Sequence, residues 1–164
     1  MLTVHLRITD AATGKPTPVR LRITDREGSF YPPLGRFAEF PGGRNEAVGG
    51  CLNLDGEKWC YIDGSCEVPL PSGIPLRIQA AKGPEYLPLE ETVTLGPGQI
   101  SLRFSIKRGI DMRASGWHSG DSRCHFLSPH EALLEAAAED LDVVNLLIAE
   151  ETLCGSDGRT YRTA

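Results

Sequence analysis

The sequence contains no apolar run near the ~20 residues that a membrane-crossing helix requires, so no membrane span is expected. It has no Cys-x-x-Cys pair, and its 5 cysteines are an odd number, which points to neither a closed disulfide set nor a zinc knuckle. It has no basic excess. Seventeen Lys and Arg stand against 22 Asp and Glu, for a formal net charge of −5. A phosphate-backbone partner needs a positive field, so nucleic acid is not an expected partner. The opening residues, Met1-Leu2-Thr3-Val4-His5, lack a basic segment leading into an apolar stretch, and no signal peptide is expected. Aromatic residues are scarce at 7%, yet hydrophobic residues reach 40% and charged ones 24%, a balance that suits a globular fold. The 164 residues fit one ordinary domain, or a domain of about 100 residues with an appendage.

What is present up to about residue 110 is strand grammar. Val4, Leu6 and Ile8 alternate with His5 and Arg7, and Val19, Leu21 and Ile23 alternate with Arg20 and Arg22. Arg20, Arg22 and Arg26 make the nearest approach to a basic cluster and read as the outward face of a strand. Residues 30–50, rich in Pro and Gly without a sustained period, read as a long loop. Strand patterns resume at 58–62, 65–68, 76–81, 90–95 and 101–107. Asp63-Gly64 carries a two-residue hairpin signal that sets Trp59 across from Val68 and Tyr61 across from Cys66. That register puts Cys60 and Cys66 on opposite faces of the ribbon, so reduced thiols and an intracellular compartment are expected. Seven strands with no helix among them predict a mainly β fold, a seven-stranded antiparallel β-sandwich of Ig-like type over residues 1–110. Leu102, Phe104 and Ile106 are expected in its core with Val4, Leu6, Leu21 and Ile23, and Phe104→Ala is expected to cost about 3–5 kcal/mol.

The grammar changes after Arg108. Ser128-Pro129-His130-Glu131 combines a Ser N-cap, Pro at the first helical position and Glu three residues after the cap. It predicts a helix over 129–139 with Leu133, Ala137 and Leu141 on its buried face, flanked by Leu134 and Ala138. Residues 143–148 are continuously apolar, as in a parallel strand buried on both faces. With a strand near 116–125 they predict a short β-α-β unit over residues 111–149. Such a unit cannot bury its own faces. Either the helix folds back on the sandwich, or Leu133, Leu134, Val143, Val144, Leu146 and Leu147 remain exposed and predict a homodimer. Residues 150–164 read as a loose tail.

The densest cluster of chemistry-bearing residues is Gly116-Trp117-His118-Ser119-Gly120-Asp121-Ser122-Arg123-Cys124-His125. On a strand, His-x-His aims two imidazoles at one metal ion, but here position 123 is Arg, which stays protonated and offers no lone pair. Asp121 and His125 remain as candidate ligands, with His118 and His130 behind them. This segment resembles the start of the catalytic barrel in PHP-type metallohydrolases (named for polymerase and histidinol phosphatase). The resemblance is to the branch whose N-terminal sandwich is similar to carboxypeptidase-regulatory or transthyretin-like domains. In that branch Gly-Trp-(aromatic)-Ser-Gly-Asp-x-His-x-His opens the barrel. Residues 108–112, 126–129 and 140–147 resemble the same family, as do Tyr61-Ile62-Asp63-Gly64-Ser65 and Lys82-Gly83-Pro84-Glu85-Tyr86.

The resemblance implies metal-activated water attacking an ester, amide or phosphoester. The sequence departs from it at the first metal-binding His, which falls on Arg123, while His125 keeps the second. A catalytic barrel takes about 200 residues or more, and roughly fifty follow the sandwich here. The expectation is therefore a non-catalytic accessory or binding module with no catalytic residue and no cofactor, Asp121 and His125 marking a vestigial metal site. The alternative is a residual hydrolase holding zinc or manganese, its site completed by another subunit or by missing sequence. A stacking platform for a ligand would draw on Tyr31 and Tyr86, which lie in loop-like surroundings, whereas Trp59 and Tyr61 read as core.

Overall fold

The computed structural model describes residues 1–36, 51–125, 127–147, 151–154 and 160–163, with the backbone alone for residue 51 and the last two stretches. Most of the segment read as a long loop, together with Phe126, Ile148 and Glu150, lies outside the described residues. The chain is mainly β. Nine strands come first: β1 (Leu2–Asp10), β2 (Val19–Thr24), β3 (Cys51–Leu54), β4 (Glu57–Ile62), β5 (Ser65–Leu70), β6 (Pro75–Ala81), β7 (Tyr86–Leu87), β8 (Leu89–Thr94) and β9 (Ser101–Arg108). They form a four-stranded sheet in the order β5-β1-β9-β7 and a five-stranded sheet in the order β3-β4-β2-β6-β8.

Alternation explains why the sheets meet. Val4, Leu6 and Ile8 of β1, with Val68 and Leu70 of β5 and Leu102 and Ile106 of β9, project from one sheet. Val19, Leu21 and Ile23 of β2, Ile62 of β4 and Leu76 and Ile78 of β6 project from the other, and all join one buried cluster. Phe104 packs against that cluster but is only partly buried. Its truncation should cost less than the sequence pattern suggests.

Three expectations are corrected. The pairing is not purely antiparallel: β1 and β9 run parallel, with Leu6 beside Leu102 and Ile8 beside Phe104. The long chain between them supplies the crossover that parallel neighbours require. Second, β4 and β5 do not form a hairpin. β4 pairs with β2 and β3, while β5 pairs with β1, so Asp63-Gly64 is a corner between sheets. A type I′ turn needs positive φ at both central residues, and of this pair only Gly64 has it, at 100°. The Gly64 backbone also lies under Pro16 and Thr17, where an added Cβ would come within 2.6 Å of the Thr17 amide nitrogen. The hairpin turn is instead Asp55-Gly56, with φ of 53° and 81°, which joins β3 to β4. The two cysteines therefore sit in different sheets. Cys60 is buried in the shared core and Cys66 packs against it, and burial pushes the Cys66 thiol up to about 12. Third, the C-terminal stretch is not a loose tail throughout. β12 (Glu151–Cys154) and β13 (Thr160–Thr163) pair antiparallel, as the strand-favouring Thr152, Thr160, Tyr161 and Thr163 allow.

After β9 the chain makes a 3-10 turn at Arg113–Ser115 and enters β10 (Gly120–Cys124), α1 (Pro129–Ala138) and β11 (Val143–Leu146). β10 and β11 pair in parallel, Gly120 beside Val143. The helix start follows its sequence signature: the Ser128 hydroxyl accepts from the Glu131 amide at 3.2 Å, and the Glu131 carboxylate accepts from the Ser128 amide at 3.1 Å.

Burial ranks the core. Leu6→Ala removes a side chain with 0% exposure and is expected to cost about 2–5 kcal/mol in urea unfolding. Phe104→Ala should cost clearly less than Leu6→Ala in the same measurement.

Candidate functional site

α1 folds back on the outer face of the five-stranded sheet. Leu134 and Ala138 pack on Tyr61, with Leu52 beside them. The buried face is thus rotated from the expected one: Leu133 is 72% exposed, and Glu131, Ala132, Leu134 and Ala138 face inward. Polar partners on the sheet account for the rotation. The Tyr61 hydroxyl donates to Glu139 at 3.0 Å, and Arg20 pairs with the same carboxylate at 3.3 Å. Arg20 also lies 5.4 Å from the centroid of the Trp59 ring. Trp59 and Tyr61 do share a face, but it is this helix-bearing outer face. Of the expected basic cluster, Arg20 is held under α1, Arg22 pairs with Glu57 at 3.2 Å, and Arg26 is exposed.

The end of α1 is held more firmly than its face. The Lys82 amine, only 6% exposed as a residue, donates to the carbonyls of Pro18 and Ala137, placing a cation at the helix C-terminus. Burial pulls its pKa below the usual lysine value, against the nearby Asp140 and Asp10 carboxylates. Next to it Gly83, at φ 51°, comes so close to the Glu139 carbonyl that any Cβ would overlap it. Asp140, at φ 55°, turns the chain out of the helix, a left-handed conformation that Asp tolerates better than most residues. Its carboxylate pairs with Arg108 at 2.8 Å and Arg113 at 3.4 Å, while Arg108 also pairs with Glu85 at 2.6 Å and Arg113 with Asp142 at 2.7 Å. Burial raises the pKa of Asp142, but the Ser119 amide and the Arg113 guanidinium outweigh it and hold the carboxyl below its usual range.

Tyr86 belongs to this joint rather than to an exposed platform. It is 8% exposed; its hydroxyl donates to Asp10 at 2.8 Å and accepts from Arg108 at 3.2 Å, and Arg108 lies 4.4 Å from its ring centroid. The surroundings look loop-like in sequence because β7 is only two residues long. Tyr31 is partly buried, its hydroxyl donating to Asp25 at 2.8 Å.

Asp121 and His125 are exposed at β10 and just after it, with Arg123 between them. The Asp121 carboxylate accepts from the Arg123 amide at 2.8 Å. Arg123 Nε donates to His125 Nε2 at 3.0 Å. Because guanidinium always carries that proton, Nε2 must be the acceptor, and its lone pair is engaged. His118 lies apart, 3.3 Å from Asp142, and His130 is exposed on α1. Among the described residues no three His, Cys, Asp or Glu side chains gather as a metal-ligand group. The described residues do not fit a divalent cation: one imidazole is engaged by a cation, and no second imidazole converges on it.

A cavity of about 180 Å³ lies between α1, β10 and β4, lined by Tyr61, Asp121, Cys124, Glu135 and Glu139. Burial, Glu131 and Glu139 together push the Glu135 carboxyl up to about 7. Burial, Asp121 and Glu135 raise the Cys124 thiol, keeping it protonated and a poor nucleophile. Sequence reading missed Glu135 and Glu139. Their spacing at 131, 135 and 139 puts them on one stripe, but only the docking direction shows that the stripe faces inward.

No family model matches the chain, and neither a curated protein nor a solved structure matches it.

Two outcomes are expected at the joint. Gly83→Ala should detach α1 while leaving the two sheets folded. Hydrogen exchange would show the amides of α1 and β11 losing protection and those of β1 and β2 keeping it. Glu135 has a folded pKa above its unfolded value, so it binds more protons folded than unfolded, and stability should fall as pH rises from about 4.5 to about 7. Glu135→Gln should remove that slope and stabilise the protein at pH 8 by roughly 1 kcal/mol, a figure reduced for the group's partial contact with water.

Proposed function

We propose that this chain is a non-catalytic accessory module. In this reading the two-sheet body is a β-sandwich of the transthyretin or carboxypeptidase-regulatory kind, derived from a PHP-type metal-dependent hydrolase. The docked β-α-β arm is the remnant of that enzyme's barrel edge, and Asp121 and His125 are its vestigial metal site. The observation that carries the reading is the 3.0 Å hydrogen bond from Arg123 to His125. A cation stands where the motif has its first imidazole, and it takes up the lone pair of the second. A protonated Cys124 and an Asp121 turned onto its own backbone add no competent ligand or nucleophile. The buried joint supports the accessory role, since it holds the arm as a fixed structural part.

A second reading, a hydrolase completed by another subunit with zinc or manganese, draws on the exposed Val143 and Leu147 of the arm. A second copy covering them would form a homodimer.

The test is metal content per chain after dialysis against trace zinc and manganese, with Arg123→His in parallel. The parent is expected to hold no metal and Arg123→His to gain it. Stoichiometric metal in the parent would overturn the accessory reading. Light scattering on the eluted protein separates the second reading, because a strict monomer leaves no subunit to complete a site.

A further inference from the structure

The outer face of the four-stranded sheet carries charges arranged against its own stability. Inward positions of β1, β5 and β9 are apolar, so the outward ones are His5, Arg7 and Thr9, then Ser65 and Glu67, then Ser101, Arg103, Ser105 and Lys107. In this register Arg7 stands beside Arg103 on one side and Ser65 on the other. Two like charges on adjacent positions of neighbouring strands repel. The sole carboxylate among these positions, Glu67, is engaged by His5 at 2.7 Å. Among the described residues neither Arg7 nor Arg103 has a carboxylate partner, and Arg7 Nε is enclosed without a hydrogen-bond acceptor, a condition it shares with Arg20 and Arg22.

The other sheet differs. There Arg22 pairs with Glu57 and Gln79, and Arg77 meets Glu90 through two hydrogen bonds of 2.9 Å. Among the described residues, carboxylates match the arginines of that sheet and not the Arg7–Arg103 pair. Two arginines at paired backbone positions of neighbouring strands can both reach one planar or tetrahedral oxyanion, which each guanidinium can bind in bidentate fashion. The hydroxyls of Ser65 and Ser105 flank the pair, and Lys107 adds a third cation further along β9.

We infer that Arg7 and Arg103 form an oxyanion-binding site on the open face of the four-stranded sheet. Its ligand is a small molecule bearing a carboxylate, sulfate or phosphate. The repulsion in the free protein is relieved when the anion binds.

The test uses inorganic phosphate, sulfate and D-glucuronate as probes, each compared with sodium chloride at the same ionic strength. The readouts are the melting temperature and the arginine Nε–Hε resonances of the full chain. The resonances of Arg7 and Arg103 are expected to move together and saturate, while that of exposed Arg26 stays put. R103Q is expected to raise the melting temperature in chloride, because repulsion is gone, and to weaken anion binding about tenfold. R26Q should leave both unchanged. Saturation in the phosphate arm alone points to a phosphate ester, and saturation in the glucuronate arm alone to a sugar acid. The inference is overturned if no probe saturates, if Arg26 responds as Arg7 does, or if R103Q melts lower in chloride or keeps the parent's anion response.

Discussion

The placement of the arm depends on how one helix end is buried against the two-sheet body. A single β-α-β unit has more apolar surface than it can cover, and α1 here covers part of it on the sheet face bearing Tyr61. Burying that helix also buries its C-terminal carbonyls, which need donors. Lys82 supplies them to Ala137, and Gly83 clears the space in which the backbones meet. Asp140 then turns the chain and is held by two guanidinium groups. Buried ion pairs of this kind contribute little net stability but are costly to break from one side, since the remaining charge is stranded. The joint is therefore better at specifying one docking geometry than at adding stability.

Much of this architecture was legible in the sequence, and the failures have identifiable causes. Alternation in Val4-Leu6-Ile8 and Val19-Leu21-Ile23 reports one buried face per strand, and two such sets from different sheets made one core. Ser128 and Glu131 located the helix start because a capping box is a local interaction. Sheet pairing is not local. The sequence holds two Asp-Gly pairs near β4, and only the backbone conformation distinguishes the Asp55-Gly56 hairpin from the Asp63-Gly64 corner. The helix face misled for a related reason. Leu133 and Leu134 are equal by hydrophobicity, and the choice fell to where Tyr61 and Arg20 could meet Glu139. Tyr86 was misplaced because its short strand carries no period, and Lys82 was overlooked because a buried amine has no sequence signature.

The candidate metal segment was the more legible part, since it depends on residue chemistry. That position 123 is Arg could be read directly from the chain. What the sequence could not give was the direction of the side chain. Arg123 does not merely fail to ligate; its Nε proton meets the ring nitrogen that a metal would use. An arginine swung into solvent would leave His125 available, and the two cases differ chemically although their sequences are identical.

The arginines divide by partner rather than by position. Arg108 and Arg113 meet half-buried carboxylates at the joint, Arg20 meets Glu139 beneath the helix, and Arg22 and Arg77 are matched by acids on the open part of the same sheet. Each of these assignments lowers the cost of a charge that the fold needs in place. Arg7 and Arg103 fit none of them: they support no joint, answer no carboxylate among the described residues, and repel one another across a strand pair. A sheet face can hold Ser or Thr at such positions without penalty, as Ser101 and Ser105 show on the same strand. A pair of cations kept there at a cost is most simply explained by a bound anion.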